Sequence, residues 1–148
     1  MPLADTPIAE VHRAGLTGPQ DLPHVHAALA ELWSLGAAAT PSDERWRLEF
    51  EIAVAEVAAN VARHVAAHPS SVTFTFTVSL HSTQVAGVFE DAGVEPRLPE
   101  HIRLPDAAAE AGRGLAIAQR CLDILRFERV GVRNRWLLVK GREHLAAE

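Results

Sequence analysis

The chain has 148 residues, enough for one domain with its own core, and shows no repeat at a fixed period. Its formal net charge of −5, with thirteen arginines and Lys140 as the one lysine, argues against a generic electrostatic grip on nucleic acid, while a local arginine cluster for phosphate stays open. A single cysteine, Cys121, excludes an intramolecular disulfide and suits a reducing, cytoplasmic setting; the start MPLADTPIAE lacks the form of a signal peptide, and no apolar run approaches the roughly 20 residues of a membrane span.

Residues 8–16, IAEVHRAGL, alternate weakly and are read as a short strand. Asp21 then caps a helix with Pro23 in its first turn, and Val25, Leu29, Leu32 and Trp33 repeat at helical spacing up to Gly36. The stretch ATPSDE breaks it, with Ser42 or Asp43 as the next cap. A second helix is expected from about 43 to 67, ending before Pro69 because the residue ahead of a proline avoids the α region.

SVTFTFTVSL (71–80) alternates Val72, Phe74, Phe76, Val78 and Leu80 against Ser and Thr, the period of a strand with one buried face. STQVAGVFED (82–91) reads as its antiparallel partner after a turn at His81–Thr83. Residues 92–114 contain three prolines and no stable apolar period, which makes a loop too long for a simple connection. Gly112-Arg113-Gly114 end that loop and open a helix, LAIAQRCLDIL, with Leu115, Ile117, Ala118, Cys121, Leu122 and Leu125 available for the core. Two strands follow at about 125–130 and 134–140, joined near Gly131. This order predicts an α+β fold, a two-layer sandwich of one mostly antiparallel mixed sheet covered by helices.

Chemistry concentrates at few places. Glu56, Asn60 and His64 stand four residues apart in IAVAEVAANVARHVA, so they form one polar stripe beside the apolar row Phe50, Val54, Val57, Val61 and Val65. A carboxylate there can orient or deprotonate a hydroxyl and an amide oxygen one turn on can hold Mg²⁺; a solvated helix edge would look the same. His64 and His68 have the spacing of a zinc pair, without a third ligand at a convincing offset, and also suit the C-terminal end of a helix. Asp91-Ala92-Gly93 presents a carboxylate at a strand end, able to accept from an exocyclic amino group or simply to make a turn. Gly112-x-Gly114 offers backbone amides to an anion at a helix start, with Arg113 as an added cation.

The succession Glu-x-x-x-Asn on a helix, two strands, Asp-x-Gly, a long loop, Gly-x-Gly, a helix and two strands resembles the GHKL (Bergerat) ATP-binding fold of histidine kinases, gyrase and heat-shock protein 90. Within it the chain most resembles the stand-alone anti-sigma factor serine/threonine kinases over roughly residues 10–140, with EVAANVARH and GRGLAIAQRCLD as the most specific pieces. The resemblance implies a single histidine kinase-like ATPase domain over 1–148, with flexible termini at 1–7 and 142–148. It implies Glu56 as the catalytic base, Asn60 as the Mg²⁺ ligand and His64 beside the phosphate end of the pocket. Asp91 would read the adenine amino group with Gly93 permitting close approach, residues 95–111 would form a lid, and Gly112, Arg113, Gly114 and Leu115 would bind the phosphates of ATP. The implied partners are an anti-anti-sigma (STAS-type) protein and a sigma factor, with no nucleic acid or membrane, and a homodimer as the assembly. One departure stands out: family members usually carry a second glycine two residues after Gly93, where this chain has Glu95 followed by Pro96. It motivates an alternative, a regulatory protein-binding module of the same fold without catalysis.

Overall fold

The computed structural model describes residues 6–37, 43–68, 72–98 and 110–142, with the backbone alone at 110–112, and these form five strands and three α-helices. The strands are β1 (Ala9–Leu16), β2 (Phe74–Leu80), β3 (Gln84–Asp91), β4 (Ile124–Val130) and β5 (Arg133–Gly141). They form one sheet in the order β1-β2-β3-β5-β4, and each of the four pairings is antiparallel. The β4–β5 hairpin turns at Gly131, whose φ of 61° lies in the left-handed region that glycine enters without penalty. The helices are α1 (Leu22–Gly36), α2 (Glu44–Ala67) and α3 (Glu110–Cys121).

Strand alternation sends Phe74, Phe76, Val78 and Leu80 of β2 and Phe89 of β3 to one face, where all are essentially buried. The apolar row of α2, from Phe50 through Val65, packs on that face with Val25, Leu29 and Leu32 of α1 and with Leu115 and Ala118 of α3, in one core. The rings of Phe76 and Phe89 stack at 4.5 Å between centroids beneath it. The other sheet face carries a smaller apolar cluster of Ala86, Leu137 and Val139 bordered by Val88 and Ile124. The predicted two-layer α+β sandwich is therefore what the chain forms.

Three local expectations become definite in the structure. Asp21 does stand at the N-cap of α1, but its carboxylate turns back to accept from the Thr17 amide (2.7 Å) and hydroxyl (3.0 Å), and Pro19–Asp21 form a 3₁₀ turn. Of the two caps offered for α2, Asp43 fills the position and accepts from the Arg45 amide at 3.0 Å. The last helix is shifted: α3 starts at Glu110 and stops at Cys121, so Ile124 and Leu125 belong to β4. Asp123 enforces that stop. Its amide donates to the Val139 carbonyl (2.9 Å) and its carboxylate accepts from the Gly141 amide (2.6 Å), which commits the backbone to the sheet.

Candidate functional site

The polar stripe of α2 faces the open end of the sheet, where β3 finishes at Asp91 and β5 begins. Asn60 and His64 from α2, Asp91 from β3 and Asn134 from β5 line one cavity together with Val61, Pro96, Leu98 and Trp136. Asp91 and Asn134 are directly opposite each other in the β3–β5 register and are buried, at 5% and 1% exposure. Buried polar groups at such a place require partners. Asp91 Oδ1 accepts from the Gly93 amide at 2.8 Å and from Asn134 Nδ2 at 2.9 Å. Asn134 Nδ2 also donates to the Val94 carbonyl at 2.9 Å, and Arg129 Nη1 donates to Asn134 Oδ1 (2.8 Å) and to the Gly93 carbonyl (2.7 Å).

His64 joins the same group. Its Nε2 lies 2.5 Å from the Val94 carbonyl, so this nitrogen carries the proton and the ring is tied to the segment after Asp91. The resemblance put His64 near the phosphates; the structure puts it at the Asp91 end, because that carbonyl is the acceptor within its reach. His68 Nδ1 in turn bonds to the His64 carbonyl at 3.0 Å, and the two rings lie 4.6 Å apart. Among the described residues no group of three or more His, Cys, Asp or Glu side chains gathers as a metal site.

Gly93 closes a turn onto Asp91. A Cβ built there would lie 3.0 Å from Asp91 Oδ1, so the missing side chain lets the turn's own amide reach the carboxylate. Glu95 is exposed and does not line the cavity, whereas Pro96 and Leu98 do. The cavity measures about 40 Å³, space for on the order of three water molecules.

Glu56 sits one turn before Asn60 and meets α3. A Cβ built on Gly114 would lie 2.6 Å from Glu56 Oε1, closer than real Cβ atoms approach, so any other residue there would push this carboxylate aside. Because α3 begins at Glu110, Gly112 falls in its first turn and the Gly114 amide already belongs to the helix's own i→i−4 ladder. Here Gly114 is a close-packing residue of α3 against α2. Leu115 is a core residue at 2% exposure, and Arg113 is exposed. The stretch 99–109, most of the expected lid, lies outside the described residues, as do 1–5 and 143–148 of the expected flexible termini.

Asn60 Oδ1 accepts a short hydrogen bond from Arg63, an exposed guanidinium one turn further on. An amide oxygen at the mouth of this cavity suits Mg²⁺, which keeps several waters and takes most remaining ligands from substrate phosphates. Exposure makes Arg63 easy to displace, so the residue fits such an ion.

Comparison with protein families decides the wider grouping. The histidine kinase-like ATPase domain family matches residues 18–140, which is most of the chain. The chain belongs to that family. A search of curated proteins found no match. Residues of this histidine kinase-like ATPase domain that sequence patterns did not single out are Arg129, Asn134, Leu98 and Trp136. One signal existed for Asn134: it shares the core-facing alternation of Trp136 and Leu138 in β5, and an amide at such a position needs a buried partner.

Proposed function

We propose that the protein is an ATP- and Mg²⁺-dependent serine/threonine protein kinase of the anti-sigma factor type, which phosphorylates an anti-anti-sigma (STAS-type) partner and takes a sigma factor as its second partner. The observation that supports it most is convergence: Asn60 and His64 of α2 meet Asp91 of β3 at one cavity, and Gly114 seats a third element, α3, against Glu56. Asp91, already accepting two donors on Oδ1, offers Oδ2 to an exocyclic amino group such as that of adenine. Asn60 would hold Mg²⁺ near the phosphates, and Glu56, one turn away, would take the proton from the attacking hydroxyl. Bound ATP supplies the phosphoryl group; the residues named supply position and charge. On this reading residues 1–148 act as a single cytoplasmic domain, working as a homodimer.

Incubation of the chain with labelled ATP and the cognate STAS-type protein tests the proposal. Label on a partner serine or threonine is expected, falling by about 10²–10⁴-fold with Glu56→Ala, the range for loss of a positioned base. No label with the folded wild-type chain would overturn the kinase assignment.

One observation favours a second reading, a regulatory binding module of the same fold. Pro96 and Leu98 wall a cavity of about 40 Å³, far below the volume of a nucleotide pocket, so nucleotide binding requires the 94–98 segment to move outward. Partner binding without nucleotide binding would select that module.

A further inference from the structure

The segment that leaves β3 is pinned into the cavity rather than led away from it. Three donors hold it by two consecutive carbonyls. Arg129 Nη1 of β4 donates to Gly93 (2.7 Å), while Asn134 Nδ2 of β5 (2.9 Å) and His64 Nε2 of α2 (2.5 Å) both donate to Val94. Beyond that double pin the side chains alternate: Glu95 and Arg97 are exposed, whereas Pro96 and Leu98 are half-buried and line the cavity with Asn60, Asp91 and Trp136. Leu98 also packs on the main core, so apolar contact seats it as well as the chain leading to it. Pro96 stiffens that lead, because its ring fixes φ.

The chain itself therefore fills the Asp91 end of the proposed nucleotide site. Only about 40 Å³ of cavity is left beside Pro96 and Leu98, and the Nε2 proton of His64 is spent on the Val94 carbonyl. The strap 94–98 and a nucleotide cannot share this space. We infer that Leu98 is an intramolecular plug, latched through the Val94 carbonyl to His64 and Asn134, which holds the nucleotide site shut until the strap swings out. The inference rests on the nucleotide-binding reading proposed above and gives that site a regulation. A ligand that meets only the open form binds with its intrinsic dissociation constant divided by the open fraction, so the plug lowers apparent affinity without touching the ligand. Binding in turn holds the strap open, since whatever binds one of two forms shifts the population toward it.

The test is calorimetric titration of the full chain with Mg-ATP for wild type, Leu98→Ala and Leu98→Met. Leu98→Ala withdraws the apolar contact of the plug and is expected to tighten apparent ATP binding by at least about fivefold. Leu98→Met, close to leucine in volume, should stay within about twofold of wild type. The direction discriminates: a leucine that contacts bound nucleotide, or one that only supports the fold, gives weaker or unchanged binding on truncation to alanine. Either of those results, with wild type binding ATP, would overturn the inference alone. A second measurement reports even if Leu98→Ala fails to fold. In Leu98→Cys carrying Cys121→Ser, the thiol at position 98 should react with a soluble thiol reagent at least about fivefold faster with Mg-ATP bound than without, because the nucleotide expels the strap. Labelling slowed or unchanged by bound ATP would overturn the plug. No ATP binding by folded wild type and folded Leu98→Ala alike would overturn the nucleotide reading itself, and the plug with it.

Discussion

Gly114 shows how much of this site depends on one absent side chain. Its place opposite Glu56 leaves no room for a methyl group, yet what the methyl would strike is the end of a flexible carboxylate side chain rather than backbone. Gly114→Ala should therefore fold with near wild-type stability, alanine being the better helix former, while swinging Glu56 away from its working position. A displacement of about 1 Å can cost on the order of 100-fold in rate, so phosphoryl transfer is expected to drop about 10- to 100-fold with the melting temperature held or raised. Thermal unfolding beside the labelled-phosphate assay checks both halves. Glu56, Asn60, His64 and Asp91 were legible in the sequence because helical spacing and a strand end expose them one element at a time. Asn134 and Arg129 were not, because their importance arises from the β3–β5 and β4–β5 registers, which set Asn134 opposite Asp91, 43 residues away, and Arg129 opposite Asn134. Pairings of that kind are a tertiary fact.

At the scale of elements, α2 is the member that everything else is positioned against. Its apolar row is buried along its length, with Phe50 fully enclosed and its edge against the Trp33 ring at 6.3 Å. Phe50→Ala would leave a large cavity between α2 and the sheet and is expected to destabilise the fold by about 3–5 kcal/mol, read by denaturant unfolding. The period of that row made α2 readable from sequence, and strict alternation did the same for β2. The end of α3 was less readable. Leu122, Ile124 and Leu125 continue an apolar pattern compatible with a helix, and only the two hydrogen bonds of Asp123 to β5 decide for a strand. Tertiary pairing overrode a local signal there. The start of α3 was missed by a few residues for the opposite reason: the alanine-rich stretch before Gly112 has helix propensity but no period to mark where the helix begins.

Across the molecule, ion pairs tie the helices to the sheet at two places among the described residues: Arg13 of β1 meets Glu31 of α1 at 2.7 Å, and a lysine of β5 does more. Lys140 of β5 reaches Glu49 of α2 at 3.0 Å and the Cys121 carbonyl at the end of α3 at 2.9 Å, where a cation also meets the helix dipole favourably. The Lys140 hydrogen bond and charge, seconded by Arg45, hold the Glu49 carboxyl below its ordinary value against the opposing effect of burial. A carboxyl depressed in the folded state stabilises it above the unfolded-state pKa, and that stabilisation is lost as pH falls through the folded value. The melting temperature should therefore decline as the pH is lowered through about 4 and below, and Lys140→Met should flatten that decline; thermal melts across pH check it. The same fastening keeps α3 against α2, and with it Gly114 against Glu56, so the architecture and the candidate site share their supports.

The central claim is that the cavity between α2 and the ends of β3 and β5 is a nucleotide site with Asn60 as its metal-bearing residue. Isothermal titration of the full chain with ATP, with Mg²⁺ and with chelator, tests it most directly. The account predicts one site per chain, weakened at least about tenfold by Asn60→Ala in the presence of Mg²⁺ and little changed by that substitution in chelator. No binding heat from folded wild-type protein, or equal affinity of wild type and Asn60→Ala with Mg²⁺ present, would contradict it.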